Sequence, residues 1–390
     1  MILPGKTLGL LGGGQLGRMF TVAARTMGYH VIVLDPDPES PAGELATDHV
    51  CAEYQDPSAL EYLANRCAAI TTEFENVPAA ALDQLAFSCV VRPGAKAVSI
   101  TQDRIREKAF LQESGFPVAQ FAVVRSAAEL EAALARIGLP ALLKVSRFGY
   151  DGKGQARVSE RAGARAAWDL MGHEPCVLEE LLDLKAEVSV VLARGADGAM
   201  ATFPVAENEH RHGILDLSMA PARVSTAVQR EAVVLAQAIA ERLEYVGVLA
   251  VEFFVLAGGR LTVNEIAPRP HNSGHYTLDA CVTSQFEQQV RALCGLPLGP
   301  TRLLAAAVMV NLLGDLWPAT GGEPDWGAAL HDPCLKLHLY GKRKPRPGRK
   351  MGHYTCLGET LDQALAAAMS VRGILRSQAS RATPDERPSS

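Results

Sequence analysis

The chain has 390 residues, 48% of them hydrophobic, and a formal net charge of −5. That length suggests two or three packed units at roughly 100–200 residues each, and the apolar fraction is ample for real cores. The mild charge gives no global electrostatic case for nucleic-acid or membrane binding, no run is long enough to span a bilayer, and the eight scattered cysteines form no CxxC pair that would signal a zinc site or disulfide framework.

In chain order, the first hundred residues alternate strand and helix patterns. Thr7–Leu11 is an apolar strand, Gly12–Gly17 a glycine turn, Arg18–Met27 a helix, Tyr29–Leu34 a second strand ending at Asp35, and Ala68–Thr72 a third. Such alternation predicts a parallel sheet with helices on its faces. The opening segment lacks a basic lead and a small-residue cleavage site, so no secretory signal is expected. The turn Gly12-Gly13-Gly14-Gln15-Leu16-Gly17 matches G-x-G-x-x-G, and Asp35 sits where a ribose-binding acid of a dinucleotide fold would. NAD, another phosphate-bearing ligand and a plain tight turn all remain open on this motif.

A small α+β unit follows. Helices are expected over Asp103–Ser114 and Ala127–Ile137, and strands over Phe121–Val124, Leu139–Val145 and Cys176–Leu182. Lys144 stands at the end of a buried strand, just before the glycine-rich Gly149, Tyr150, Asp151, Gly152, Lys153, Gly154 and Gln155. A lysine on a rigid support followed by a glycine loop suits phosphates, with backbone N–H groups pointing inward. An exposed hairpin turn is the alternative. In Glu179, Glu180, Leu181 and Leu182, strand backbone could pair with an adenine edge, and Glu187 just downstream could accept ribose hydroxyls; a solvated acidic strand end would look the same.

The third unit opens with strands Val188–Ala193 and Ala199–Pro204, then the helix Ala227–Leu243 and a hairpin, Val248–Leu256 and Leu261–Ile266. If Ala257–Arg260 is a four-residue loop, Leu256 faces Leu261 and Glu252 faces Glu265, with Asn264 alongside. Opposed residues share one face of a sheet, and two such carboxylates repel unless a hard divalent cation resolves them. A one-residue slip would separate them. The next segment, Pro268-Arg269-Pro270-His271-Asn272-Ser273-Gly274-His275, is a restricted loop whose Arg269 suits charge on a transferring phosphoryl group. Further on, prolines and a glycine within Lys342–Lys350 could aim Arg349 and Lys350 at a phosphate monoester, although basic runs are usually solvated surface.

The order of these pieces resembles the ATP-grasp superfamily. The segments GGGQLGRM, TTEFENV, FGYDGKGQ, VNEIAPRPHNSGH and RPGRKMGH look, more closely, like the N5-carboxyaminoimidazole ribonucleotide synthase family, over about Leu8 to Gly352. The resemblance implies an α/β and α+β architecture: a Rossmann-like pre-ATP-grasp domain over 1–102, a lid domain over 103–186, a C-terminal catalytic domain over 187–379, and a disordered tail over 380–390. It implies a ligase that uses ATP and Mg²⁺ to join bicarbonate to 5-aminoimidazole ribonucleotide through carboxyphosphate, in a cytoplasmic homodimer with no nucleic-acid or membrane partner. Carried over by motif, Arg104 and Lys144 contact phosphates, Gly149–Gln155 form the lid, and Glu179–Leu182, Glu187 and His210 hold adenine and ribose. Glu252 and Glu265 hold the metal beside Asn264. Arg269, Lys144 and Asn272 are the catalytic candidates, and Gln15, Leu16, Glu73, Asp151, Arg269, His271, Asn272, Arg349 and Lys350 line the ribonucleotide pocket. The competing readings are an NAD-dependent oxidoreductase, a sister ATP-grasp enzyme that takes formate, such as the glycinamide ribonucleotide transformylase, and a non-catalytic nucleotide-binding module.

Overall fold

The computed structural model describes residues 1–149, 152–318 and 321–379, with side chains through 376; the expected tail, 380–390, lies outside the described residues. Thr7–Leu11 is the centre of a five-stranded sheet in the order Asp48–Val50, His30–Leu34, Thr7–Leu11, Ala69–Thr72, Val90–Val91, every pair parallel. The two edge strands, only two and three residues long, carry too little alternation to be read from sequence. The first helix runs Gln15–Thr26 and so begins inside the glycine motif, three residues earlier than its pattern suggests.

The middle of the chain forms a four-stranded antiparallel sheet in the order Phe121–Val124, Cys176–Glu180, Ala141–Val145, Gln155–Val158. Helices Ala127–Ile137 and Arg161–Leu170 bury Leu130, Leu134 and Trp168 against it. The expected strands over Phe121–Val124 and the helix over Ala127–Ile137 fall at the observed bounds.

The largest sheet has nine strands and is antiparallel. Its path runs Leu261–Ala267, Gly247–Val255, Ala186–Arg194, Ala206–Arg211, Ile214–Ala220, Ala306–Leu313, Lys350–Gly358, Leu335–Leu339, with Met200–Thr202 paired onto Ala186–Arg194. Helix Thr226–Arg242 lays Ala232, Ala236 and Ile239 onto Val190, Leu249 and Val251 at one end. Helix Leu361–Ala379 lays Ala364, Ala368 and Val371 onto Val308 and Tyr354 at the other.

One helix, Gln285–Cys294, joins the parallel sheet to the large sheet. Leu10 and Phe20 of the first unit share a core with Phe286, Val290 and Leu293. Polar bonds fix the docking angle. Gln289 is buried; its Nε2 donates to Thr71 Oγ1 at 2.8 Å, and its Oε1 accepts Val248 N–H at 2.6 Å. Arg92 donates to the carbonyls of Ala292 and Leu293, where the helix end leaves oxygens unpaired. Replacing Gln289 with leucine keeps the volume but strands a buried N–H and a buried hydroxyl. The expected loss is about 2–4 kcal/mol of unfolding free energy, read from the urea midpoint at constant slope.

Candidate active site

The glycine turn has an occupant of its own. Glu73, at the end of Ala69–Thr72, accepts the N–H groups of Gly14 at 2.5 Å and Gly17 at 2.7 Å. A helix N-terminus attracts an anion, and here a carboxylate of the same chain supplies it. The glycines serve that approach. A Cβ at Gly14 would lie 2.4 Å from the Glu73 carboxylate, and Gly12 adopts φ +101° with the Glu73 side chain against it. Asp35 is equally engaged, accepting Gly13 N–H, Asp37 N–H and the Tyr54 hydroxyl. The dinucleotide reading therefore loses both its phosphate cradle and its ribose acid. Gln15 accepts a 2.5 Å bond from Lys342, and Leu16 is buried beneath it.

Lys144 ends its strand as expected and donates to Glu179 at 2.8 Å, with Lys108 3.6 Å from the other Glu179 oxygen. Burial alone would raise the Glu179 carboxyl; Lys108 and Lys144 overcome it and hold the group at about 2. Glu179 is thus the buried counter-ion of Lys144 and Lys108, and its side chain does not line the cleft. Glu180 turns its carboxylate to Gln120 N–H, and Leu181 and Leu182 are half-buried outside the cleft lining. The glycine loop is rooted at the helix Arg104–Glu113: Arg104 N–H donates to Ser146 O, and the Ser146 hydroxyl donates to Asp103. At its tip, Gly152 meets the turn His212-Gly213 backbone to backbone, where a Cβ at Gly213 would come within 2.6 Å of Gly152 Cα. Tyr150 and Asp151 lie outside the described residues.

The two candidate metal carboxylates do face each other, by a different route from the one the sequence suggests. Val255, and not Leu256, pairs with Leu261, and that register continues to Phe253 opposite Val263. Carried on regularly, it would set Asn264 against Glu252 and turn Glu265 to the other face. A β-bulge at Asn264 restores the pairing of Glu252 with Glu265. Burial and the facing Glu265 charge push the Glu252 carboxyl up to about 7, the condition that a divalent cation relieves. Oxygen and nitrogen atoms of Glu252, Glu265 and His271 lie within 4.8 Å of one another. The carboxylates suit a hard cation such as Mg²⁺, whereas the imidazole does not. Asn264 donates to Glu252 at 3.3 Å, and Arg104 lies 3.5 Å from Glu265. His210 comes to this site too, its Nδ1 2.9 Å from Glu187.

Behind the hairpin, Arg269 Nε donates to Glu75, and Nη1 to Pro270 O at 3.3 Å. Nη2 has no partner among the described residues. The loop after it is held rigidly. Buried Gln285 accepts His271 N–H and donates to His271 O and His275 Nδ1. Burial, with Arg269 and Lys350 near, pushes the His271 imidazole well below its ordinary range. Asn272 exchanges two amide hydrogen bonds with Asn311. Arg349 does not line the cleft; its Nη1 donates to Lys344 O, while neighbouring Lys350 does line it.

These pieces border a single cleft of about 540 Å³. Gln15, Leu16 and Glu73 form one end, the lid glycines and Lys144 another, and Glu187, His210, Glu252, Asn264, Glu265, Arg269, His271 and Asn272 the floor. Sequence reasoning passed over Glu75, Glu107 and Lys108. Glu75 stood within TTEFENV. Glu107 and Lys108 stand four and three residues before buried Leu111, charged residues on what should be an apolar stripe, and that was the available signal. Glu179 supplies a test of the charged floor. Its folded value, about 2, lies below the ordinary 4.5, so its stabilisation is fully present above pH ~4.5 and fades as pH falls toward 2. Glu179→Gln leaves two buried lysines uncompensated. Denaturant unfolding should show a loss of about 3–5 kcal/mol at pH 7, and the gap should narrow between pH ~4.5 and ~2.

The comparisons with known proteins cover the same segments. Residues 109–286 match the ATP-grasp domain, residues 5–102 the ribonucleotide synthetase preATP-grasp domain, and residues 307–367 the phosphoribosylaminoimidazole carboxylase C-terminal domain. The N5-carboxyaminoimidazole ribonucleotide synthase of Bacillus subtilis strain 168 is 46% identical over 363 residues, 93% of this chain and 94% of its own. The N5-carboxyaminoimidazole synthetase of Staphylococcus aureus, solved with ADP, superposes with a TM-score of 0.89 at 37% identity, covering 95% of this chain and 98% of that one. The synthase of Aspergillus clavatus, solved with ADP and 5-aminoimidazole ribonucleotide, gives 0.88 at 31%, covering 95% and 99%. With the family's three domains matched in order and near-complete coverage of its members, this chain belongs to the N5-carboxyaminoimidazole ribonucleotide synthase family of ATP-grasp ligases.

Proposed function

We propose that the protein carboxylates 5-aminoimidazole ribonucleotide with bicarbonate at the expense of ATP, giving N5-carboxyaminoimidazole ribonucleotide, ADP and phosphate through carboxyphosphate, a step of purine synthesis. The observation that carries this reading is the single cleft lined at once by lid glycines, the opposed carboxylates and the N-terminus of the first helix. A nucleotide and a second, anionic substrate can then lie side by side in it. The family supplies the substrates' names: relatives bear this activity in their own names, and one was solved with ADP and the aminoimidazole ribonucleotide.

In this mechanism, the units 1–102, 103–186 and 187–379 hold ribonucleotide, lid and catalytic floor. The strand backbone of Glu179–Leu182, and not its side chains, meets the adenine edge, Glu187 and His210 hold the ribose, and Arg104, Lys144 and the lid N–H groups meet the phosphates. Glu252 and Glu265, beside Asn264, would hold Mg²⁺, which would supply positive charge against the phosphates. Bicarbonate is a poor electrophile, and phosphorylation gives it a leaving group. Because Glu75 takes the Nε edge of Arg269, the guanidinium keeps Nη2 for the acyl phosphate. The acyl phosphate hydrolyses readily, so the lid excludes water while the ribonucleotide amine attacks its carbonyl carbon and phosphate leaves. Gln15, Leu16, Glu73, His271, Asn272 and Lys350 border the ribonucleotide; Arg349 joins them on a turn of its side chain. The family also carries the proposal of a cytoplasmic homodimer. Among the described residues no helix is long and apolar enough to cross a membrane.

Two measurements test the reading. ADP release with Mg²⁺-ATP and bicarbonate should rise strongly on adding 5-aminoimidazole ribonucleotide, with bicarbonate consumed in step; ATP turnover indifferent to the ribonucleotide would point to another amine. Arg269→Ala should lower turnover by about 10²–10³-fold with a much smaller change in the KM for ATP. Near-normal turnover in that variant would remove Arg269 from the chemistry.

A further inference from the structure

The bulge that brings Glu265 opposite Glu252 is not held by its own hairpin. Strand Leu261–Ala267 lies at the edge of its sheet, so only one side of it is laddered. Val263 sends its N–H outward to Pro117 O at 2.7 Å, and Ile266 sends its N–H outward to Glu107 Oε1 at 2.5 Å. A regular strand alternates with period two, so residues three apart cannot both face out. The extra residue, Asn264, accounts for the reversal. Its carbonyl is also off the ladder and accepts a 3.0 Å bond from Lys108 Nζ. Both displaced backbone groups therefore end on neighbouring residues of one helix, Arg104–Glu113, at side chains that are 2% and 0% exposed. A buried backbone group without a partner is costly. Without these two partners, the hairpin would favour its regular register, and Glu265 would leave the site.

We propose that Glu107 and Lys108 are positioning residues that lock the Asn264 bulge and so set the spacing of the cation-binding carboxylates Glu252 and Glu265. The inference rests on reading those carboxylates as a divalent-cation site. The decisive feature of Glu107 is an acceptor oxygen at the right reach, not its charge. A glutamine keeps that oxygen, and an aspartate keeps the charge but draws the oxygen back by one methylene. The lid loop is bonded to the start of the same helix through Ser146 and Asp103, so the part that closes and the part that holds the cation share one rigid support.

The test is Mn²⁺ titration of the full-length protein with ADP, followed by electron paramagnetic resonance, for the unaltered chain and for Glu107→Gln, Glu107→Asp, Lys108→Met and Glu265→Gln. Calorimetry of ADP without metal runs alongside. Glu107→Gln should bind Mn²⁺ nearly as the unaltered chain does. Glu107→Asp should bind it at least about tenfold more weakly, the size expected when an outer partner of a metal ligand is lost, with metal-free ADP affinity retained. Lys108→Met reads the same bulge from its other anchor and should also weaken Mn²⁺. The inference is overturned if Glu107→Asp and Lys108→Met bind Mn²⁺ normally while Glu265→Gln does not, or if Glu107→Gln falls as far as Glu107→Asp, which would make charge the operative property. Unchanged Mn²⁺ binding in Glu265→Gln as well would overturn the cation reading itself, and this inference with it.

Discussion

Two carboxylates held face to face in a mostly buried floor are the constraint around which the rest of this molecule is arranged. Glu252 and Glu265 oppose each other across a hairpin, and burial plus mutual repulsion drives the Glu252 proton affinity far above that of a free carboxyl. A fold tolerates such a pair only if the backbone leaves it no other place to go. Here the hairpin is bulged, its outer edge is bonded to Pro117, Glu107 and Lys108, and its inner edge continues into a nine-stranded sheet. Charge repulsion of that kind in a buried floor is a reason to look for a cationic ligand that relieves it.

The same floor explains why three separate sheets have to converge. The large sheet supplies the carboxylates and Arg269. The middle sheet supplies Lys144 and the glycine loop that reaches across to Gly213. The parallel sheet supplies Glu73 and Glu75, the first holding the helix N-terminus and the second holding Arg269. Gln289 sits at the junction and ties strand Gly247–Val255 to Thr71 of the first unit, and Gln285, on the same helix, holds the histidine loop, all through buried hydrogen bonds. Polar groups at these junctions fix angle as well as contact, and apolar packing alone would not.

Patterns of period two and short motifs carried much of this in the sequence. The parallel unit, the lysine before the glycine loop and the carboxylate pairing could all be read from local spacing. What could not be read was whatever depended on a distant partner. The glycine turn looked like a phosphate cradle because nothing local says that Glu73, 59 residues from Gly14, will fill it. That the Glu179 side chain is a buried counter-ion could not be read either, because its lysine partners are 35 and 71 positions away by number. The hairpin register reached the right pairing from the wrong loop length, since a bulge is specified by partners outside the hairpin. The strands after Ala306 were missed because the glycines and prolines between them break any period.

The charge arrangement of the floor also bears on what can bind there. Lys144 and Lys108 are balanced by Glu179, and Arg269 by Glu75, before any ligand arrives. Pairing lowers the cost of burying each cation and fixes where its remaining N–H groups point. It also means that Lys108, Lys144 and Arg269 are already partly neutralised where they stand. A triphosphate entering this cleft adds charge that the paired lysines and arginines only partly meet, and the opposed carboxylates add more. A divalent cation at the carboxylates would lower both costs, which is the physical reason to expect cation and nucleotide affinity to depend on each other.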